Sequence, residues 1–344
     1  MKDVRVRPGS MGTGAALDGR APAAPEARPA GNPRLGYYFA ALNALISGVA
    51  IYVNSIGVKL FADSTLYTAL KNAVVGVALL VPLLIMLTRN RAEYRRLTGR
   101  QWGLLLVVAV IGGSVAYALD FRGLQISTAV TAAVVDHTQF LFVALFAGVL
   151  LRERFGPAIW LALLVLFVGL CIGLKLNTVH LDTGVIFLLA ATLLFALDAI
   201  LIKYLLRSVS ILTVMVFKMS LGAVLLLAYV GASGRLGAVT RLSPTQWGFV
   251  LVTGLILLAF TVTAIAGLRH ASATAVTAIP AASPIITTAL VVVSRHITIT
   301  PLTLFGLALT LVAALIIFTV GRRQELRAQQ SRPRQHEHGK AVIA

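Results

Sequence analysis

A cluster of polar side chains lies near the middle of an apolar stretch of bilayer length, Ala129–Leu151. Asp136, His137 and Gln139 fall within it, and such groups are costly inside lipid unless they serve a substrate, an ion path or a proton relay. Asp136 and Gln139 share a helix face, whereas His137 points about 100° away. We predict that Asp136 carries a proton or meets a cationic group of a substrate, or else bonds to a neighbouring helix. For His137 we favour a neutral side chain, hydrogen-bonded at a helix interface.

Two lysines also lie inside apolar runs. In the second half of the chain, Asp198 and Lys218 are expected at similar depth, which predicts an intramembrane ion pair. The corresponding residues of the first half are Asn54 and Lys71, so Lys71 lacks the counter-ion that the repeat described below would give it. We therefore predict that Lys71 is either neutralised by Asp136 or free to bind a carboxylate of the substrate.

The stretch Ala273–Ser294 matches the first one in length but holds Pro280 and Pro284. These prolines either break the helix and expose its carbonyl groups to a cavity, or kink it for packing. Small hydroxylated residues line cavities but also pack helices together. The weaker candidates for cavity-lining groups are Tyr117 and the small hydroxylated residues Thr277 and Ser283.

The composition belongs to a polytopic membrane protein. Of 344 residues, 58% are apolar and 12% charged, and the mean hydropathy is +0.90, which is far more apolar than a soluble domain requires. The net charge of +18 comes from tails and short loops, so it indicates membrane orientation and not a nucleic-acid partner. With Cys171 as the single cysteine, an internal disulfide and a thiolate metal cluster are excluded, and we expect no metal and no other cofactor.

Windows of roughly 20 apolar residues predict ten transmembrane helices. They fall into a first five-helix repeat at 34–175 and a second at 182–320, with a disordered tail at 1–33 and a disordered basic tail at 321–344. Most Lys and Arg residues lie on the side that holds both termini, so both tails are predicted to be cytoplasmic. On that side, Arg152 and Glu153 are expected to form a solvated ion pair or to act as a topology signal.

The two halves align when the chain is shifted by about 144 residues. Asn54–Lys59 then meets Asp198–Lys203, and Leu97–Gly103 meets Leu242–Gly248, both of which contain Gln-Trp-Gly. Because each half holds five predicted spans, the second half enters the membrane from the opposite face. The fold class is therefore all-α, with ten helices in a 5+5 inverted repeat, an arrangement typical of transporters.

The chain resembles the drug/metabolite transporter superfamily, specifically its EamA-type members, over nearly all of residues 34–320. The positions that carry the resemblance are Lys71, Lys218, Gly123-Leu124, Gly267-Leu268, Arg152-Glu153-Arg154 and the Pro284-led motif of the fourth span. The first half departs from the pattern, with Phe140 where a proline is usual, which argues against a helix break in the fourth span. The resemblance implies a ten-helix carrier in the bacterial cytoplasmic membrane, with a central cavity lined by the first, third and fourth helices of each half.

The expected function is a carrier of small metabolites, such as amino acids or related polar or amphipathic compounds. Export by alternating access is favoured, with proton coupling, exchange and facilitated diffusion all open. We expect a small-molecule substrate, contact with lipid, and a monomer or weak homodimer. A channel-like facilitator is the alternative. An enzyme is disfavoured and no catalytic residue is predicted, because the chain lacks His-Glu-x-x-His, Gly-x-Ser-x-Gly and closely spaced acidic residues.

Overall fold

The protein is helical throughout the part that the structure describes. The computed structural model describes residues 31–89, 97–127, 132, 135–153, 156–173, 182–295 and 298–330. No β-strand occurs in these residues. The ten apolar helical segments are α1 (Pro33–Leu60), α2 (Ser64–Arg89), α3 (Gly99–Ile126), α4 (Val135–Leu151), α5 (Pro157–Gly173), α6 (Thr183–Leu205), α7 (Ile211–Ala232), α8 (Pro244–His270), α9 (Ala273–Ser294) and α10 (Pro301–Gln330).

Eight of these helices are long and apolar enough to cross a membrane. The exceptions, α4 and α5, are shorter apolar helices, and the neighbouring residues 128–131, 133–134 and 174–181 lie outside the described residues. The chain is therefore a multi-pass membrane protein. Of the ten predicted spans, the described helices directly support eight.

The outer surface of the bundle is apolar, as a lipid-facing surface must be. Val149 is 69% exposed and Val293 is 74% exposed, although both are side chains that a soluble protein would bury. Trp102 and Trp247 are also exposed and lie near the starts of α3 and α8. Tryptophan at helix ends is typical of membrane–water interfaces.

The repeated Gln-Trp-Gly sequence begins equivalent helices of the two halves. Thr98 caps α3 and Ser243 caps α8, and in each case the glutamine three residues later, Gln101 or Gln246, completes a reciprocal capping box. The same glutamines reach across the bundle. Gln101 donates to the α6–α7 connection and Gln246 to the last residue of α1. The sequence match between the halves thus reflects a shared local structure.

Helix packing is reciprocal between the halves. α1 packs against α8 and α6 against α3; α1 packs against α9 and α6 against α4; α2 packs against α7 and α5 against α10. Each contact either joins equivalent helices or occurs twice with the halves exchanged. Two repeats related by a pseudo-two-fold axis produce this pattern.

Each end of the bundle is tied by contacts between distant parts of the chain. At the end that holds the first and last described residues, called here the termini end, Gln329 donates to the carbonyl of Gly31 at 2.7 Å. At the other end, called here the opposite end, Arg235 pairs with Asp63 at 2.8 Å. Both contacts join the first half to the second.

The last helix is longer than predicted. Residues 321–344 were expected to be a disordered tail, but α10 continues through Arg322–Gln330, and only 331–344 lie outside the described residues. The extension is polar, so hydropathy does not detect it, yet it consists of good helix formers. Glu325 fixes it by accepting hydrogen bonds from the Tyr37 hydroxyl at 3.0 Å and the Ser272 N–H at 3.1 Å.

Candidate functional site

A cavity of about 230 Å³ lies between the two halves. Its walls come from the first, third and fourth helices of each half, with Lys218 added from α7. These are the helices that the family resemblance implies. The polar lining residues are Asn43, Ser47, Tyr117, Asp120, Asp136, His137, Gln139, Thr192, Asp198, Lys218, Thr261 and Thr277.

The structure divides the predicted site residues into two groups. Those that line the cavity are Asp136, His137, Gln139, Tyr117, Thr277 and Pro280, together with the pair Asp198 and Lys218. Those that do not line it are Lys71, Asn54, Ser283 and Pro284. Two of the second group still matter for the site, because Lys71 contacts Tyr117 and Ser283 contacts His137.

Prolines interrupt α9 beside the cavity. The helix tightens into a 3-10 turn over Ile279–Ala282 and resumes at Pro284. Ser283, in the turn between, hydrogen-bonds to Nε2 of His137 at 3.1 Å. His137 is 9% exposed and therefore joins α4 to the interruption of α9 while it also faces the cavity.

α4 is interrupted too, although it has Phe140 where the family's proline is usual. Thr138 has ψ −8°, and its neighbours form tight turns, with the Thr138 N–H donating to Val135 at 3.0 Å and the Leu141 N–H to Thr138 at 2.9 Å. The Thr138 hydroxyl also donates to the Val135 carbonyl at 2.7 Å. Phe140 thus gave a misleading expectation of a continuous helix, because a hydroxyl hydrogen bond can support the same interruption.

Asp198 and Lys218 form a direct ion pair, with side chains 3% and 10% exposed. Lys218 lies in a π-helical turn, Phe217–Leu221, a feature often found at functional sites. α3 packs closely against this pair, and a Cβ at Gly112 would overlap the Asp198 carboxyl group. The pair is therefore both a helix-packing element and part of the cavity wall.

Lys71 is enclosed by aromatic rings. It is 2% exposed, and its ammonium lies 3.6 Å from the centre of the Phe121 ring, with Tyr67 and Tyr117 at 5.6 and 5.9 Å. Its electrostatic partner is Asp120. The acid beside Lys71 is thus Asp120, whereas Asp136 was the predicted counter-ion. Lys71 also does not line the cavity, where it was predicted to bind a substrate carboxylate.

Asn54 also lies away from the cavity. It accepts a hydrogen bond from the Tyr67 hydroxyl at 2.9 Å, and the same hydroxyl donates to Thr253 at 3.0 Å. Tyr67 in turn lies beside Lys71. Asn54, which stands where the second half has Asp198, thus belongs to a hydrogen-bond network centred on the Tyr67 hydroxyl.

Asp120 is the functional candidate that the sequence analysis missed. It lies on α3, lines the cavity, and its carboxyl group is within hydrogen-bonding reach of the Asp136 carboxyl group. The available signal was an acid within an apolar span, three residues after Tyr117. Its pairing with Asp136 depends on how α3 and α4 pack, which the sequence does not give.

Asn43 was also missed. It is 2% exposed and donates from Nδ2 to the Phe260 carbonyl at 2.9 Å and to the Thr263 hydroxyl at 2.8 Å. An amide inside an apolar span was the available signal. The contacts fix α1 against α8 at the cavity wall.

A second polar cluster lies at the termini end. Glu153 was expected in a solvated ion pair, but it accepts hydrogen bonds from the Ala273 N–H at 2.8 Å and the Thr274 hydroxyl at 3.4 Å. It therefore provides hydrogen-bond partners for polar groups at the start of α9. Burial raises the pKa of the Glu153 carboxyl. Lys203 lies nearby and donates to the carbonyls of Leu268 and Ala271.

The polar groups of the described residues are not arranged as a metal site. Within the described ranges, no group of three or more His, Cys, Asp or Glu side chains could hold a metal ion. The cavity instead offers paired carboxyl groups, one lysine and several hydroxyl and amide groups, which suit recognition of a charged or polar small molecule.

The comparison with protein families gives the chain its family. The family model for the EamA-like transporter family matches residues 34–174 and 182–319, one match in each half. The chain belongs to the EamA-like transporter family. It is therefore a membrane transporter, which agrees with the resemblance carried by the sequence motifs.

A solved structure supports the same architecture for this EamA-like transporter. The structure, described only as "Crystal structure of protein", superposes with a TM-score of 0.63 over 85% of this chain and 98% of its own, at 19% identity. At that identity the likeness concerns the fold alone. A comparison with curated proteins found no match.

Proposed function

We propose that this EamA-like transporter is a carrier of small metabolites that works by alternating access. The observation that carries the proposal is the polar cavity between the halves, with hydrogen bonds of Glu153 and Glu325 joining the two halves at the termini end. A carrier requires a midplane site that is closed on one side at a time. The substrates are amino acids or related polar or amphipathic compounds, and the direction is export.

The proposed architecture is ten membrane-spanning helices in a 5+5 inverted repeat, with repeats at 34–175 and 182–320. Reciprocal helix packing and the paired capping boxes support it. The proposed membrane is the bacterial cytoplasmic membrane, with the termini end inside. The basic residues concentrated on that side support this orientation. With Cys171 replaced by alanine, thiol labelling of single cysteines placed at Asp63 and Glu325 from either side of the membrane tests it.

The site residues have distinct proposed roles. Asp136, Gln139, Tyr117 and Thr277 contact the substrate, while His137 and Ser283 hold the interruptions of α4 and α9 together. Asp198 and Lys218 fix the wall. These groups come from α3 and α4 of the first half and from α6, α7 and α9 of the second, which supports a site that both halves share.

Counterflow in proteoliposomes tests the carrier function. Vesicles loaded with a mixture of unlabelled metabolites are diluted into a labelled metabolite library, with and without a pH gradient. Saturable uptake accelerated by internal substrate is expected. Flux that neither saturates nor responds to substrate on the far side would instead identify a channel-like facilitator.

Lys71 provides a second test of the site. Its ammonium does not line the cavity, so Lys71→Gln is expected to act on transport through Asp120 rather than by removing a direct substrate contact. Because Lys71→Gln removes a positive charge beside the site and Asp120→Asn removes a negative one, the apparent affinity for a charged substrate should shift in opposite directions in the two variants. If only Lys71→Gln changed affinity, direct contact of Lys71 with a substrate carboxylate would be the better account.

A further inference from the structure

We infer that the cavity binds a small organic cation, and that this cation and a proton compete for the Asp120–Asp136 pair. The inference rests on the proposed carrier function and names the substrate class and coupling of the same site. It follows from the charge balance of the cavity, from unpartnered acceptors in its wall, and from the aromatic groups beside the acids.

The charge balance leaves the pair of acids one positive charge short. Three carboxyl groups line the cavity, those of Asp120, Asp136 and Asp198, against one ammonium, that of Lys218. Lys218 is bound directly to Asp198. Lys71, whose ammonium lies 3.6 Å from the centre of the Phe121 ring next to Asp120, balances one charge of the remaining pair, which leaves one more positive charge to be supplied from outside the chain.

A proton fills that deficit when the cavity is empty. Two carboxyl groups within hydrogen-bonding reach of each other, as Asp120 and Asp136 are, form that bond only if one of them carries a proton. A monovalent cation that enters the cavity replaces the proton and leaves the total charge unchanged. The proton returns to water, and no bond other than the O–H bond is broken.

Unpartnered acceptors in the same wall also point to a ligand that donates hydrogen bonds. Oδ1 of Asp198 and the hydroxyl oxygen of Thr192 are buried without a hydrogen-bond partner, on side chains whose residues are 2% and 1% exposed and line the cavity. Buried polar atoms are rarely left unpaired. An ammonium group donates hydrogen bonds and accepts none, and a carboxylate ligand would add repulsion.

The shape of the cavity limits the ligand to a small molecule with an apolar body. Its volume of about 230 Å³ lies below the roughly 300 Å³ at which typical ligand pockets begin. The Tyr117 and Phe195 rings meet edge to face in the wall, with centroids 5.0 Å apart. Aromatic faces attract organic cations, so the wall and the acids favour the same ligand class.

The titratable groups around the pair come from α2, α3, α4, α6 and α7. Lys71 on α2, Tyr117 on α3, His137 on α4, and the bound pair Asp198 and Lys218 on α6 and α7 are the titratable neighbours. Among the described residues, α1, α8 and α9 contribute no ionisable side chain to the cavity wall. Proton release on ligand binding is therefore expected from the Asp120–Asp136 pair.

The test uses the full chain in detergent and the permanent cation trimethylphenylammonium, whose charge does not change with pH. Binding is measured by calorimetry between pH 5.5 and 8.5, with phenylacetate as an anionic counterpart. While the pair is protonated, we expect the apparent Kd for the cation to fall by about tenfold for each unit by which the pH rises. About one proton should be released per cation bound, measured as acidification of a weakly buffered sample, and phenylacetate should not bind.

Two variants complete the experiment. Asp136→Asn should weaken cation binding at least tenfold and abolish both its pH dependence and the proton release. Asp63→Asn removes an acid that pairs with Arg235 at the opposite end, outside the cavity, and should behave like the unmodified chain. The proton-release measurement needs only the unmodified chain, so it tests the inference even if Asp136→Asn does not fold.

The outcomes separate this inference from the carrier function. Binding of phenylacetate in preference to the cation, or cation binding without proton release, overturns the inference. If counterflow is saturable for neutral or anionic metabolites while the cation neither binds nor exchanges, the carrier function stands and the cation site falls. If the cation binds with proton release but no counterflow of any compound is seen, the cation site stands and the carrier function falls.

Discussion

Nζ of Lys71 lies 3.6 Å from the centre of the Phe121 ring, and Tyr67 and Tyr117 stand 5.6 and 5.9 Å away. Phe121 directly follows Asp120 on α3, so one helix supplies both the ring and the acid. An ammonium buried among rings exchanges its hydration for cation–π attraction, which strengthens when the site is dry. Lys71 therefore ties α2 to α3 behind the cavity and biases the charge of Asp120.

A double-mutant cycle between Lys71→Met and Phe121→Leu should reveal this attraction. We expect a coupling free energy of about 1–2 kcal/mol, because the pair is buried, measured by reversible unfolding in mixed micelles. Arg322 and Phe318 form the matched control, with 5.2 Å between the guanidinium and the ring and both side chains half-buried. Their coupling should be smaller, about 0.5 kcal/mol. Equal coupling free energies in the two cycles would show that burial does not strengthen the cation–π attraction at Lys71.

Removing one partner of the Asp198–Lys218 pair should destabilise the fold strongly. Lys218→Met leaves a carboxylate buried at 2% exposure without its cation, and such a change costs about 3–5 kcal/mol. The double variant Asp198→Leu with Lys218→Met should recover most of that loss. Thermal unfolding in detergent measures each variant.

The control for this pair lies at the opposite end. Arg235 and Asp63 are 37% and 21% exposed, so Arg235→Met should cost no more than about 1 kcal/mol. A double variant at Asp198 and Lys218 as unstable as the single one would mean that the side chains matter for shape and hydrogen bonding, and that charge pairing is secondary.

The helices and the repeat were predictable because their signals are local. Apolar length gave the helix positions, and the glutamines of the capping boxes, Gln101 and Gln246, gave the match between halves. The Asp198–Lys218 contact followed from two costly residue types at similar depth. The features that the sequence did not predict depend on tertiary contacts. The Asp120–Asp136 pair, the ring cage of Lys71 and the extension of α10 to Gln330 each depend on contacts between separate helices.

A methyl group at Gly112 should displace the Asp198 carboxyl group. A Cβ at this position would overlap that carboxyl group, and both belong to the packed contact between α3 and α6. Gly112→Ala is therefore expected to lower the thermal unfolding temperature and to reduce transport in the counterflow assay. Gly103→Ala on the same helix is the control, since nothing lies within 4 Å of its added Cβ. Alanine there should stabilise the helix by up to about 1 kcal/mol, and a loss at both positions would point to a general effect of α3.

Glu153 should make the termini end sensitive to pH. Burial raises the pKa of its carboxyl. The Ala273 N–H and the charge of Lys203 favour the ionised form and offset part of that rise. The folded state therefore binds the Glu153 proton more tightly than the unfolded state. The stability that this proton contributes is present at acid pH and is lost as the pH rises through the raised pKa. Glu153→Gln stays neutral and keeps an oxygen that can accept from the Ala273 N–H, so it should equal the unmodified chain in acid and exceed it in stability near pH 8.

The difference between Glu153→Gln and the unmodified chain at each pH isolates Glu153, because every other titrating group is common to both proteins. Thermal unfolding measured from pH 4.5 to 8.5 should show a difference that grows steadily as the pH rises. Glu325→Gln serves as a second control, since Glu325 accepts hydrogen bonds from Tyr37 and Ser272 at the same end of the bundle. If Glu153→Gln were instead less stable near pH 8, the ionised carboxylate at the start of α9 would be worth more than its burial costs, and attraction by the helix terminus would dominate.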